Sequence, residues 1–240
     1  MPEPIQAGLW GALAASALLL GAIGALTMPV PRRIVALVMA FGAGALVSAL
    51  AFDLSDEAFR VGGTITFGVG IAAGAVGYYG GDKLIKRFGG RRDTSRRRTN
   101  GPAIVLGVLL DGIPESLVLG ATLIGSAGIS PSFFAAVAVS NAPEGLAGTR
   151  DLVDEGHRGG WAIGLWLAVV IVSGLAAAIG NAVLSDIGSK ALAFAQSFAA
   201  GAILTMLANT MFPEAFENGG DRVGLATSLG FAAAFLLSRT

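Results

Sequence analysis

The sequence predicts an all-α membrane protein, with eight transmembrane helices in a 3+2+3 arrangement and inverted repeats. Three observations carry this expectation. The 240 residues are 54% hydrophobic and only 13% charged, with a mean hydropathy of +0.72, outside the usual range of soluble domains. The apolar residues come in long blocks, close to the ~20 residues that a bilayer-spanning helix needs. Two sequence patterns recur within the chain, at positions that a helix-by-helix count places in opposed spans. There is no Cys, which removes disulfides, thiolate metal sites and a catalytic Cys. The 36 Gly fall mostly inside the apolar runs, where small residues let helices approach closely in lipid.

The first run, residues 5–28, follows a start, Met1-Pro-Glu-Pro4, that lacks a basic stretch. It therefore predicts a membrane helix rather than a cleaved signal peptide. Pro29 and Pro31 end it, and the second helix covers 34–54. A polar segment, Ser55 to Arg60, separates this from a third helix over 62–81. Residues 82–100 carry eight Lys and Arg and predict a basic cytoplasmic loop. The fourth and fifth helices, 102–125 and 131–153, are joined by a short link. The sixth covers 161–184, the seventh 191–211 and the eighth 223–237, and all eight form one transmembrane domain over 1–240. With both termini outside a cell membrane, thirteen of the sixteen basic residues lie on the cytoplasmic side, as the positive-inside rule requires. The basic loop reads as a topology signal, so no nucleic-acid partner is expected. The lipid bilayer is one partner, and the Gly-rich helix faces permit a homodimer without requiring it.

One repeat joins the second and seventh helices. Residues 41–59 align without gaps on 198–216, with nine of nineteen positions identical, including a closing Glu-Ala-Phe. The two helices run in opposite directions in this topology. Inverted repeats around a polar site near the midplane are a mark of secondary transporters.

The other repeat carries the chemistry. The fourth helix contains Asp111-Gly-Ile-Pro-Glu115-Ser-Leu117, and the fifth Ser140-Asn-Ala-Pro-Glu144-Gly-Leu146. Asp111 and Glu115 stand four apart and Asn141 and Glu144 three apart, so each pair shares a helix face. Pro114 and Pro143 each free a carbonyl of the preceding turn, which must find a partner inside a membrane. If the two helices are antiparallel neighbours, the clusters meet at one depth. No Lys or Arg lies between Pro102 and Thr149 to neutralise three carboxylates. Such a group must be protonated or hold a cation. Asp111, Glu115, Ser140, Asn141 and Glu144 are thus the candidate site residues, for protons or for a cation.

The doubled Pro-Glu motif on consecutive helices, the helix count and the Ala-Ala-Gly-Ala…Pro-Glu-Ala pattern of residues 199–215 resemble the ZIP family of divalent metal transporters over nearly the whole chain. The resemblance implies that Asp111 and Glu115 are ligands from the fourth helix and Asn141 and Glu144 from the fifth. Ser140 would be a weak ligand, and the glutamates would bridge two metals. Its substrate would be a divalent cation, Zn by family, with Mn, Fe, Co, Ni, Cd and Mg also open. The family's usual histidines are absent, with Asp111 and Ser140 in their places and Gly112 where that motif has Asn. An all-oxygen set favours harder ions, and one metal instead of two is open.

Weaker candidates are Asp53, Asp56, Glu57, Glu214 and Glu217 at helix ends, and Ser48, Ser173, Asn209 and Thr210 within helices. His157 lies in a short polar loop with Asp151, Asp154 and Glu155, which reads as solvated surface. Two further readings stay open: a proton- or cation-coupled carrier of another solute, and a membrane scaffold that does not transport. An enzyme is not expected, because the predicted spans hold no His and no nucleophile–base pair.

Overall fold

The computed structural model describes residues 1–88, 101–124 and 128–239. Among the described residues the regular structure is helical. The elements are α1 (Glu3–Thr27), α2 (Arg32–Ala49), α3 (Asp56–Phe88), α4 (Gly101–Ala121), α5 (Pro131–Asp154), α6 (Gly159–Leu184), α7 (Ser189–Met206), α8 (Phe212–Gly219) and α9 (Arg222–Leu237). Among the described residues, four stretches are long and apolar enough to cross a membrane: Glu3–Thr27, Arg32–Arg87, Gly159–Leu184 and Ser189–Gly219. Large apolar side chains face outward along the helices, among them Ile65, Val76 and Leu225, each at least 70% exposed. In a bilayer these would meet lipid.

Several boundaries differ from the sequence reading, for physical reasons. The helix expected over 62–81 starts at Asp56 and runs to Phe88. Asp56 and Glu57 in its first turn and Lys86 and Arg87 in its last complement the helix dipole, and Lys86 Nζ meets Asp82 at 2.6 Å. Gly63, at φ 72°, breaks this helix near its start, a conformation open to glycine at little cost. Seven residues of the expected basic loop are therefore helical. Its remainder, 89–100, lies outside the described residues, as does Gly125, the end of the expected fourth helix.

The helices expected to end at 54 and 211 instead pass through π-helical turns, Leu50–Ser55 and Leu207–Met211. The first leads directly into α3 and the second into α8. Such turns displace side chains from the regular helical face and recur at functional sites.

Packing depends on bare glycine faces. A Cβ on Gly44 would overlap the Thr227 carbonyl of α9, and one on Gly201 the Ile71 carbonyl of α3. In the α1–α5 contact, Gly145 lies against the Leu18 carbonyl. In the α4–α6 contact, Gly120 lies against that of Ala177. The main contacts pair α3 with α7, α2 with α9, α1 with both α5 and α6, and α4 with α6. Contact between α4 and α5 is slight, so the expected close pairing of these two helices is limited to a short stretch. Buried polar side chains also join the helices. Trp166 Nε1 donates to Thr149 Oγ1 at 2.7 Å, and Asn181 Nδ2 to the Gly120 carbonyl at 3.1 Å.

Candidate metal centre

Pro114 and Pro143 sit inside α4 and α5. Neither can donate to the carbonyl four residues back, and each precedes a glutamate. The helices continue through both prolines, so Glu115 and Glu144 project from places where the backbone ladder is interrupted. Both line one small cavity, with room for about one water-sized sphere. Asn141, Ser116, Gly112 and Ser173 share the lining, and Ala14, Ala15 and Leu18 of α1 close it. The cavity thus lies between α4 and α5 with α1 and α6 filling its sides. The alanines of α1 let that helix come close. Glu115 is 3% exposed and Asn141 6%. Asn141 Nδ2 donates to the Ala14 carbonyl at 3.3 Å, which aligns the amide along the α1–α5 seam.

The five expected ligands do not all converge. Asp111 lies outside this lining. Its Oδ1 accepts a 2.5 Å hydrogen bond from the Tyr78 hydroxyl of α3, and Tyr78 Oη also stands 3.5 Å from Thr210 Oγ1. Ser140 is buried and donates to the Val137 carbonyl of its own helix at 2.9 Å. Among the described residues no three His, Cys, Asp or Glu side chains gather around one point. The cavity instead offers two carboxylates, an amide and neutral hydroxyls. Asp111 and Glu214 are near enough for their charges to act on Glu144, as does that of Glu115.

Of the weaker candidates, Ser173 lines the cavity and Thr210 belongs to the Tyr78 group. Asp53, in the first π turn, accepts from Ser130 Oγ at 3.0 Å and from Ser132 Oγ. Ser130 also caps α5 by accepting from the Phe133 amide, so Asp53 ties the first π turn to the start of α5. His157 stacks on Trp161, with ring centroids 4.4 Å apart, which gives it a packing role at the start of α6. The residues that the sequence did not single out are Tyr78, Ser116, Ser130 and Ser132. A tyrosine within the apolar third helix was the available signal for the first.

No family model matches the chain. Over 202 residues, 82% of its length, the chain is 28% identical to a protein from Arabidopsis thaliana provisionally named a zinc transporter. It is similar to a plant protein of that provisional name. The matched region corresponds to 32% of the plant protein, so the chain spans about a third of that relative's length.

Proposed function

We propose that this chain carries a divalent metal ion across a membrane, through a site between α4 and α5 whose principal ligands are Glu115 and Glu144. The observation that carries the reading is the shared cavity: two glutamates, an asparagine and two serines, with no Lys or Arg among the lining residues. Two carboxylates facing one cavity, one buried and one half-buried, with no basic partner are costly unless a cation or protons neutralise them. Room for about one water-sized sphere fits a bare ion better than an organic solute. The likeness to the provisionally named plant zinc transporter agrees with metal as the cargo. Coordination would be completed by Asn141, with Asp111 and Ser140 joining if their present hydrogen bonds open. Oxygen-only ligands favour Mn, Mg or Ca, while the plant relative's name points to Zn, so the ion order is an open quantity.

The transport cycle we infer is alternating access by an inverted repeat. Several close contacts support the repeat. Gly44 and Gly201 occupy the same place in the 41–59 and 198–216 alignment, and each opposes a carbonyl of a further helix. The carbonyls of Phe41 and Phe198, also matched, oppose Gly230 of α9 and Gly74 of α3. The π turns begin at matched positions, Leu50 and Leu207. In the same scheme α1 matches α6 and α4 matches α5. The chain would cross a cell membrane eight times, with both termini outside, and a homodimer is compatible with its lipid-facing surface.

Uptake into proteoliposomes tests this. Wild-type protein is expected to take up at least one of Zn, Mn, Fe(II), Co, Ni, Cd and Mg. Proton movement without any metal dependence would instead establish a carrier of another kind.

A further inference from the structure

We infer that Tyr78 is a positioning residue that holds Asp111 back from the Glu115–Glu144 cavity and so sets how tightly an ion is held there. The inference rests on the transport reading above and concerns the use of that same site. Tyr78 is 5% exposed, and its hydroxyl meets Asp111 Oδ1 at 2.5 Å. Hydroxyl-to-carboxylate bonds of this length are among the strong ones. A tyrosine has a single hydroxyl proton. Spent on Asp111, it leaves the oxygen to accept from Thr210 Oγ1 at 3.5 Å. The group therefore has a direction, Thr210 to Tyr78 to Asp111, and joins three elements: the second π turn, α3 and α4.

Asp111 stands one helical turn before Glu115, close enough for the two charges to interact. Its neighbour Gly112 lines the cavity, whereas Asp111 itself does not. The other charged groups acting on it are Asp82 and Lys86 of α3 and Glu214 of α8. Lys86 is engaged with Asp82 at 2.6 Å, so the direct hydrogen-bond donor that holds the Asp111 carboxylate is the tyrosine. With this bond intact, an ion between Glu115 and Glu144 meets two carboxylates. With it broken, a third can swing in. A third charged ligand would bind the ion more tightly in the ground state and slow its release.

The test is a mutant cycle on metal uptake in proteoliposomes, with Zn and Mn as probes. Tyr78→Phe keeps the ring and removes only the hydroxyl. It is expected to lower KM about fivefold to tenfold and to lower kcat, a split that general loss of structure would not produce. Asp111→Asn removes the charge, and in that background Tyr78→Phe is expected to change neither parameter by more than about twofold. Thr210→Val should shift KM in the same direction as Tyr78→Phe, by less. Should Tyr78→Phe yield too little folded protein, Tyr78→Leu, which also lacks the donor and adds no bulk, replaces it, and the same absence of effect in Asp111→Asn is expected. Equal effects of the tyrosine variant with and without Asp111, or a raised KM, would overturn the inference while leaving transport standing. A correctly inserted wild type that takes up no ion would overturn the transport reading, and this inference with it.

Discussion

Glu115 and Glu144 owe their place to the residue before each. A proline within a helix costs about 3 kcal/mol and breaks one backbone hydrogen bond, yet α4 and α5 each keep one immediately ahead of a cavity-lining glutamate. Neighbouring buried groups have a structural role instead. Thr149 and Trp166 are both fully buried and bonded to each other at 2.7 Å. Trp166→Phe is expected to destabilise the protein by about 1–3 kcal/mol, because it leaves the threonine hydroxyl without its donor. Thr149→Val should lose a similar amount, and both should retain transport. Denaturation of the detergent-solubilised variants, read beside their uptake, checks this.

The placement of three of the five candidate residues was legible in the sequence. The spacing of Glu115, Asn141 and Glu144 placed them on facing surfaces, and the cavity gathers those three. What spacing could not show is which partner each side chain takes. Asp111 lies four residues from Glu115 and shares its helix face, but a tyrosine 33 residues earlier holds it elsewhere. Ser140 turns back on its own helix, as a buried serine readily does. Both outcomes depend on tertiary neighbours that no local pattern reveals.

Among the elements, glycine seams and π turns decide how the helices sit. Gly145→Val is expected to part α1 from α5, since the added side chain meets the Leu18 carbonyl. Overpacking of this kind costs typically about 1–3 kcal/mol, and here it should also reduce uptake, because α1 closes the cavity. Gly63 needs its positive φ but has open space around it, so Gly63→Ala should lose about 1–3 kcal/mol through backbone strain alone. Thermal denaturation of the two variants, with uptake measured alongside, separates these effects. The π turns were invisible to periodicity, because a one-residue insertion in an apolar run leaves the run apolar. The helix contacts also refine the repeat. They match Gly120 with Gly145, whereas the twin motifs match Ser116 with Gly145. Under the proposed two-fold, Glu115 therefore corresponds to Ser140, and Glu144 lies one helical turn away from its symmetry position. The cavity is then asymmetric, with two glutamates that the two-fold does not exchange.

At the scale of the whole molecule, the long apolar runs made membrane helices readable from composition. In the sequence, the proposed relation of two halves rests on the recurrence of the 41–59 segment at 198–216. The absence of Cys makes topology directly testable. Single replacements Thr94→Cys and Ser185→Cys are expected to react with a membrane-impermeant maleimide from opposite sides, the first from inside and the second from outside. The reverse pattern, or labelling of both from one side, would contradict the proposed orientation.

The most direct test of the central claim is metal uptake by proteoliposomes containing wild-type protein or the Glu115→Gln, Glu144→Gln double variant, at equal amounts of inserted protein. The account predicts uptake by the wild type and at least a hundredfold loss in the double variant, about 3 kcal/mol at roughly 1.4 kcal/mol per tenfold. Glutamine keeps the size of each side chain but removes the charge that holds a cation. Undiminished uptake by the double variant would contradict the account, because the ion would then cross without the two carboxylates around which the site is built.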